Sequence, residues 1–498
     1  MNKRFWPVLT LVAALAVAVR LVLYLLYRPE GLEPDGLGMA LLFWHPTLLQ
    51  DQLPMWWREL MPKIGGYWPP GYALANGLLA RVVGDPFVAA RVVSAVCAAP
   101  LVVFVALTAR RLAESDLAGW FAGALMAVAP LSLAWDVRVR PETMFLALYV
   151  PAVYFALLYH QNRRRRDLLW ATGLAGAAAV VKYEIIVFAP VLAYLWFLHL
   201  RARHWRDLPW GVLVGQGWAV ALAWMLNNEA ARAGDYSQLF TLMMIKQFPL
   251  WFALTWLALP VVLTLPVAAL AVAGGWEMGR YRLKRPALWL LIYLMFGHVA
   301  TMAAGYNWTS RYLLILLPWA AVLAGVGLAA LPGWRGLRPA VAGLVLALCL
   351  VSAVFWVRAE RDKWGETVAI GRAVAQLAPA EARVWSDDLY LSPYWAERNL
   401  LPLDRLESLQ PGDYVLLSDF FGALHFKRRV DDSLKLLRER FDARVIADKT
   451  VIYRPLSGEV IDPAELATKP DLRALGPRTF WSRKTPVQAR AVLVMLSE

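Results

Sequence analysis

The sequence is poor in charged residues and in cysteine. Only 18% of its 498 residues are charged, against about 25% in an average soluble protein, whereas 59% are hydrophobic. The core of a soluble protein cannot bury that much apolar surface, so the composition and the mean hydropathy of +0.47 exclude an ordinary soluble protein. The two cysteines, Cys97 and Cys349, lie within apolar runs, so no disulfide framework is predicted.

Signatures of several enzyme classes are also missing from the sequence. It contains no Walker loop, no GxGxxG fingerprint, no GxSxG elbow and no His, Cys, Asp or Glu spacing typical of a metal site. The net charge of +14 would suggest a nucleic-acid ligand in a soluble protein. Here many basic residues lie in short loops between apolar runs, so we interpret the charge as a topology signal and predict no nucleic-acid partner.

What the sequence has in abundance is long apolar runs. A bilayer needs roughly 20 apolar residues per helix, so we predict a mainly α fold, a polytopic helical bundle of about eleven transmembrane helices within residues 1–357. Because Lys182 and Glu184 separate two short runs, two short helices meeting at a polar turn are expected there. The predicted spans are 6–27, 87–109, 117–135, 143–160, 168–181, 184–200, 209–226, 250–273, 286–304, 312–330 and 339–357.

Basic segments orient these spans. They all fall on the side of the N-terminus, which the positive-inside rule makes cytoplasmic. An odd number of spans then places the C-terminus outside, in a multi-pass protein of the plasma or inner membrane surrounded by membrane lipids. The basic segments are 3–4, 110–111, 163–166, 201–206, 280–285 and 335–338.

Residues 358–498 have an ordinary globular composition. Amphipathic stretches predict helices over 364–377 and 425–441, and short apolar stretches predict strands over 382–385, 414–417 and 445–453. Alternating helices and strands predict a small extracytoplasmic α/β domain. Residues 470–498 give no readable pattern.

Two sequence features mark the predicted external loop 28–86. Glu33 and Asp35 follow the first span at headgroup level, where a carboxylate can take a proton from an attacking hydroxyl; alternatively, Pro34-Asp35-Gly36 is simply a solvated turn. Tyr67 opens the segment YWPPGY (67–72), which begins either an interfacial helix on the outer face or a structural entry into the second span.

Further cations lie at predicted outer ends of spans, against the positive-inside bias. Arg138 and Arg140 are held either by the neighbouring acids Asp136 and Glu142 or by a lipid phosphate. Two more cations, Lys182 and Arg311, lie in the sequences KYE (182–184) and SRY (310–312). Either they form a cationic patch with Lys246 that faces a phosphate, or Lys182 and Glu184 form a self-satisfied surface pair. The histidine at 298, within a span, is predicted to be a hydrogen-bonded packing residue.

In this order, the motifs resemble the GT-C glycosyltransferase superfamily, and more narrowly its branch related to protein O-mannosyltransferases and lipid A aminoarabinose transferases. The resemblance covers about residues 1–330. The acidic first loop departs from the family pattern, because Asp35 is followed by Gly36 where the family often has a second acidic residue. The matching pieces are Glu33 and Asp35, YWPPGY (67–72), Gly84-Asp85 with Arg91, RRL (110–112), RPE (140–142), the glycine-containing run from 173 to VKY (181–183), and RYLL (311–314) with Pro318.

The resemblance implies an inverting hexosyl- or pentosyltransferase that uses a polyprenyl-phosphate-linked sugar on the extracytoplasmic side. Its acceptor would be a lipid, a polysaccharide or a protein. Asp35 would be the catalytic base, and cations would hold the donor phosphate. Metal dependence, including use of a divalent ion, is left open. The residues assigned to the donor phosphate are Lys182, Arg311, Arg138 and Arg140, and those assigned to substrate contact are Glu33, Glu142, Tyr67 and Tyr312.

Two other functions are weighed against this one. A transporter or flippase of a polyprenyl-linked saccharide would use the same phosphate-binding cations without chemistry, but the sequence shows no inverted repeat and no paired broken helices in matching halves. A structural or sensory protein whose C-terminal domain binds an external partner is the third alternative.

Overall fold

The computed structural model divides the chain into two compact units, each described by itself. Residues 1–26 and 38–356 make up the membrane unit, and residues 27–37 and 357–498 make up the C-terminal unit. The structure describes residues 4–27, 69–202, 204–227, 263–304, 310–332, 336–359, 365–387, 406–419, 428–453 and 487–498, with isolated residues between 248 and 259 and between 361 and 403.

The membrane unit is built of helices, as the apolar runs predict. Its described α-helices are α1 (Phe5–Tyr27), α2 (Gly71–Val83), α3 (Pro86–Ala113), α4 (Asp116–Val128), α5 (Pro130–Asp136), α6 (Glu142–Asn162), α7 (Arg165–Ala179), α8 (Ala189–Arg201), α9 (Leu208–Val214), α10 (Gln216–Asn227), α11 (Leu265–Arg280), α12 (Arg285–Ala304), α13 (Leu317–Ala330) and α14 (Leu337–Ala359). Short 3₁₀ helices cover Tyr183–Phe188, Trp205–Asp207 and Ser310–Leu316.

Six helical segments among the described residues are long and apolar enough to cross a bilayer, and the bent pair α4–α5 makes a seventh if it is one span. The six are Phe5–Leu26, Pro86–Ala113, Glu142–Asn162, Tyr183–Arg201, Leu313–Ala330 and Leu337–Ala359. A multi-pass membrane protein with a helical bundle is thereby confirmed, and the count of eleven spans stays a prediction.

Two predicted spans are broken in the structure. Span 117–135 bends by 44° between α4 and α5, because Pro130 has no N–H to continue the helix of α4. Span 209–226 divides at Gly215 into α9 and α10, where the backbone of Gly217 lies directly against Gly176 of α7. The predicted polar turn between 181 and 184 is confirmed, since α7 ends at Ala179 and a 3₁₀ helix starts at Tyr183.

Helix α2 has the features predicted for an interfacial helix. It has 13 residues, too few to span, and its exposed face carries an apolar stripe at helical spacing formed by Leu74, Leu78 and Val82. The following Gly84-Asp85 pair is structural. Gly84 adopts the left-handed conformation (φ 79°) that ends α2, and the Asp85 carboxylate accepts hydrogen bonds from the first amides of α3.

Helices α11 and α13 pack with their backbones in contact. A Cβ atom on Gly274 would lie 1.9 Å from the Leu323 carbonyl oxygen, and one on Gly327 would lie 2.0 Å from the Leu270 carbonyl oxygen. Small residues permit this approach, which is the usual basis of helix association in membranes.

The C-terminal unit is a small α/β domain, as predicted. Its elements are α15 (Gly365–Leu377), β1 (Val384–Ser386), β2 (Leu401–Pro402), β3 (Tyr414–Ser418), α16 (Val430–Arg438), β4 (Asp442–Tyr453) and β5 (Val487–Ser497), with a 3₁₀ turn at Leu406–Ser408. The sheet order is β2-β1-β3-β5-β4: the first three strands are parallel, and β5 pairs antiparallel with β3 and β4. The two sheet faces pack on α15 and α16.

Strand β5 lies in the stretch 470–498, where the sequence predicts nothing. Its residues Ala491–Val494 are all buried, because the strand is covered on both faces. A strand buried on both faces lacks the alternation of apolar and polar residues by which a strand is normally read. The C-terminal strand is therefore a finding of the structure.

We predict that Gly274→Ala destabilises the membrane unit although alanine favours helices. The added methyl group meets a backbone carbonyl that cannot move aside without shifting α13, so the free energy of unfolding should fall by about 1–3 kcal/mol. The adjacent Gly275→Ala is the matched control, since its nearest neighbour is a Leu288 side-chain atom at 3.9 Å. Thermal unfolding in detergent measures both, and equal midpoints would contradict the packing described.

Candidate active site

A buried lysine lies between two carboxylates in the membrane unit. The Lys182 side chain is 0% exposed, and its Nζ lies 3.2 Å from Glu142 Oε1 and 2.5 Å from Glu184 Oε1. The predicted alternative of a surface Lys182–Glu184 pair is wrong in its location, because Glu142 completes a buried group of three charges. Burying a charge is costly unless it is paired, and the two carboxylates supply that pairing for the lysine.

Local structure explains how these side chains meet. Helix α7 ends at Ala179, and the Lys182 amide still donates to the Ala178 carbonyl at 2.9 Å before the chain turns extended. Glu142 is the first residue of α6, directly after Pro141. A carboxylate at a helix N-terminus is favoured by the exposed amides there. The Lys182–Glu142 contact therefore joins the end of α7 to the beginning of α6.

The Pro-Pro segment packs on the same turn. The Gly71 amide donates to the Val180 carbonyl at 2.8 Å, and a Cβ on Gly71 would lie 2.7 Å from that oxygen. Only glycine fits this approach without displacement. The part of YWPPGY that the structure describes (69–72) starts the short helix α2 and packs against the chain just before Lys182.

Tyr72 links this segment to the arginines. Its hydroxyl lies 3.2 Å from Ser94 Oγ and donates to the Ala90 carbonyl at 3.3 Å, and Ser94 Oγ donates to the Arg140 carbonyl at 3.5 Å. Burial raises the pKa of the Tyr72 hydroxyl, so it remains protonated and available as a donor. Helices α2 and α3 thereby fix the backbone from which the Arg140 side chain extends.

Arg138 and Arg140 are both buried next to an aromatic ring. They are 8% and 5% exposed, and their guanidinium carbons lie 4.5 Å and 5.8 Å from the centroid of the Trp135 ring. Guanidinium groups stack well on indole faces. The stretch between α5 and α6 thus places two cations within four residues of Glu142, whose carboxylate contacts Lys182.

Asp136 has a partner that the sequence did not suggest. Its carboxylate pairs with Arg20 of α1 at 2.6 Å and also accepts hydrogen bonds from Ser132 and Thr143. Arg20 also donates to the carbonyls of α1 and α4 and to Ser132. With both side chains at most 2% exposed, this ion pair ties α1 to α5.

Among the predicted site residues, the structure places Lys182 in contact with Glu142, and it buries Arg138 and Arg140 in the stretch that leads into Glu142. Arg311 and Tyr312 lie on the 3₁₀ helix Ser310–Leu316, which packs against α5 and α6. At these two positions the structure describes the backbone. Glu33, Asp35 and Tyr67 lie outside the described residues, so their roles stay predictions.

Three residues of the arrangement were not assigned from the sequence. Glu184 was treated as a surface partner, Tyr72 as part of a motif, and Arg20 was assigned no role in the site. A lone charge in an apolar span requires a buried partner, which is the signal that points to Arg20. The predicted packing role of His298 is supported by its Nε2 lying 3.0 Å from the Tyr149 hydroxyl.

Within the described residues, no group of three or more His, Cys, Asp or Glu side chains is arranged to hold a metal ion. The acidic first loop is not among those residues, so metal use there stays open.

Comparisons with known proteins agree with the motif pattern. A family model described as dolichyl-phosphate-mannose-protein mannosyltransferase matches residues 68–228, about a third of the chain. This stretch contains the Pro-Pro segment, both arginines, Glu142 and Lys182. None of the curated proteins compared with the sequence matches it.

Solved structures with the same fold were found over most of the chain. ArnT from Cupriavidus metallidurans bound to undecaprenyl phosphate superposes with a TM-score of 0.61 at 15% identity, covering 87% of this chain and 96% of that one. AglB from Archaeoglobus fulgidus, an archaeal oligosaccharyltransferase in complex with an inhibitory peptide and a dolichol-phosphate, gives 0.50 at 11% identity over 92% and 74%. An Archaeoglobus fulgidus oligosaccharyltransferase complex with Zn and sulfate gives 0.51 at 12% over 90% and 72%.

The chain therefore has the fold of the ArnT and AglB structures, and residues 68–228 match the mannosyltransferase family model. The fold class predicted from the sequence, a GT-C-like helical bundle with a C-terminal α/β domain, is confirmed.

We predict that Asp136→Asn lowers the free energy of unfolding by about 3–5 kcal/mol, because it leaves the Arg20 guanidinium buried without its counter-charge. Asp116→Asn is the matched control. Asp116 pairs with Arg110 at the same 2.6 Å, but both side chains are 22% exposed, so the loss should not exceed about 1 kcal/mol. Denaturant unfolding in micelles measures both variants; similar losses would show that burial of the Arg20 pair does not matter.

Proposed function

We propose that the protein transfers a sugar from a polyprenyl-phosphate donor to an extracytoplasmic acceptor, with inversion at the sugar carbon. The observation that carries this proposal is the cluster of buried cations beside Glu142, within the segment that matches the mannosyltransferase model. The structural neighbours ArnT and AglB are described with undecaprenyl phosphate and dolichol-phosphate bound, which supports the same class of donor here.

The cations suit the leaving group. When the acceptor oxygen bonds to the sugar carbon, the bond from that carbon to the phosphate oxygen breaks and charge grows on the polyprenyl phosphate. Fixed guanidinium and ammonium donors stabilise such charge, and a site away from bulk water strengthens the effect. Arg138 and Arg140 supply planar donors that match phosphate geometry, and their position on Trp135 keeps them oriented.

Lys182 can contact a phosphate by exchanging one of its two carboxylate partners. Glu142 is 3% exposed at its side chain and lies on the first turn of α6, whereas the Glu184 side chain is 19% exposed and lies on a 3₁₀ turn. We therefore assign Glu142 the role of orienting the lysine and expect Glu184 to move away when the phosphate enters. Arg311 would join from the 3₁₀ helix that packs against α5 and α6.

The acceptor needs a base, because a hydroxyl is a weak nucleophile. Asp35, a few residues beyond α1, is assigned this role, and its carboxylate would receive the acceptor proton as the new glycosidic bond forms. Glu33, Tyr67 and Tyr312 are assigned to substrate contact. The sugar and the acceptor would be revealed by mass spectrometry of cell-envelope glycans with and without the active protein.

We predict that Asp35→Asn lowers sugar transfer by about 10²- to 10⁴-fold, the usual contribution of a general base, while leaving donor binding intact. Asp51→Asn, in the same predicted external loop, is the matched control and should retain activity. Transfer is followed by mass spectrometry of the product after reconstitution in detergent. Full activity of Asp35→Asn would remove the assigned base, and product formation without a membrane gradient would exclude transport as the sole role.

We predict that Arg140→Gln weakens binding of undecaprenyl phosphate by about 10- to 100-fold, since one charge-assisted hydrogen bond is lost. Arg110→Gln is the control, because it also removes one positive charge but does so far from the site. Arg110 lies about 24 Å along α3 from Ser94, the residue that contacts the Arg140 backbone. Titration of the purified full-length protein with the lipid measures both. Equal affinities of the two variants would contradict the assigned phosphate site.

A further inference from the structure

A second concave site lies on the membrane unit. It is a groove of about 460 Å³ between α6, α8 and α12, lined mainly by apolar side chains such as Leu157, Val191 and Leu290. None of the cations near Glu142 lines it. The groove is therefore not part of the site assigned to the donor phosphate.

The two ends of the groove differ in polarity. At the inner end lies Tyr293, whose hydroxyl donates to the Val187 carbonyl at 3.0 Å, so its polar atom is already satisfied. At the other end lie His160 and Gln161 on the last turn of α6, together with Leu283 just before α12. The groove thus has an apolar inner end and a polar mouth. This arrangement matches a lipid, whose apolar acyl chain ends in a polar headgroup.

Basic residues are the sequence neighbours of the residues at the mouth. Leu283 stands between Arg282 and Lys284, Arg285 precedes the lining residue Pro286, and Arg111 donates to Gln161 Oε1 at 2.6 Å. Lys284 lies 3.7 Å from Glu114, whose side chain is 79% exposed and therefore well screened by water. Among the described residues that line the groove, none is acidic. The mouth therefore favours a negatively charged group.

Aromatic side chains indicate the depth of the mouth in the bilayer. Trp289 and Tyr194 line the groove and are 65% and 54% exposed. Exposed Trp and Tyr side chains on membrane proteins collect at the headgroup level of the bilayer. The predicted sidedness of segments 163–166 and 280–285 assigns this level to the cytoplasmic leaflet.

We propose that this groove binds an anionic phospholipid, with one acyl chain between α6, α8 and α12 and the headgroup phosphate on Arg282, Lys284, Arg285 and Arg111. Basic pockets between transmembrane helices on the cytoplasmic side are known to take such headgroups. The polyprenyl donor is not the occupant. Glu142 and Gln161 stand at opposite ends of α6, about 28 Å apart along the helix, so one phosphate cannot serve both.

The location is tested with the full-length protein in nanodiscs that contain phosphatidylglycerol carrying a photoreactive group on an acyl chain. After irradiation, mass spectrometry of peptides should place crosslinks on residues 190–195 and 286–293. Unlabelled phosphatidylglycerol should suppress them, and phosphatidylcholine should not. Crosslinks confined to other segments, equal suppression by both lipids, or suppression by undecaprenyl phosphate would each overturn the proposal.

Variants test the two parts of the groove separately. Leu290→Trp fills the apolar part and should abolish the crosslinks, whereas Leu344→Trp, on the exposed face of α14, should leave them unchanged. The double variant R282Q/K284Q should weaken phosphatidylglycerol binding about fivefold for each charge removed, and R358Q/R361Q is its charge-matched control. Unchanged binding in both groove variants would overturn the assignment.

Discussion

Charges inside the membrane unit must be paired, and the Lys182–Glu142 contact is the pair on which the candidate site depends. A lysine with no exposed surface cannot remain charged without a close counter-charge. The 3.2 Å contact between Lys182 Nζ and Glu142 Oε1 that creates the site therefore also joins the end of α7 to the beginning of α6. Arg20 and Asp136 do the same for α1 and α5. In both cases the partners are far apart in sequence, and the pair fixes how the helices meet.

The positions of the remaining groups follow from this constraint. Once the turn around Val180 is fixed, the Gly71 amide can bond to it, and α2 brings Tyr72 to Ser94 beneath the Arg140 backbone. The arginines are then held over Trp135. The residues assigned to phosphate binding are therefore supported by contacts among four helices and not by a flexible loop, which suits a site that must be organised before its ligand arrives.

Much of the fold was predictable, because helix-forming apolar runs and basic loops are strong signals. The bend at Pro130 was not predicted, although a proline within a run is its physical cause, and no strand was predicted over Val487–Ser497, which pairs with β3 and β4. The Arg20–Asp136 pair was missed for a different reason. Sequence proximity offered Asp136 to Arg138 and Arg140 as one of two alternatives, whereas the fold supplied Arg20 from 116 residues away. Ion pairs between residues far apart in sequence depend on how the helices pack, and the spacing of residues along the chain does not reveal that packing.

A structure of the full-length protein with undecaprenyl phosphate tests the central claim most directly, because it locates the phosphate without requiring the sugar or the acceptor. The account predicts phosphate oxygens within about 3.2 Å of a donor nitrogen of Arg138, Arg140 or Lys182, with the Glu142 carboxylate still on the lysine. A phosphate bound elsewhere, with Lys182 still between Glu142 and Glu184, would contradict it.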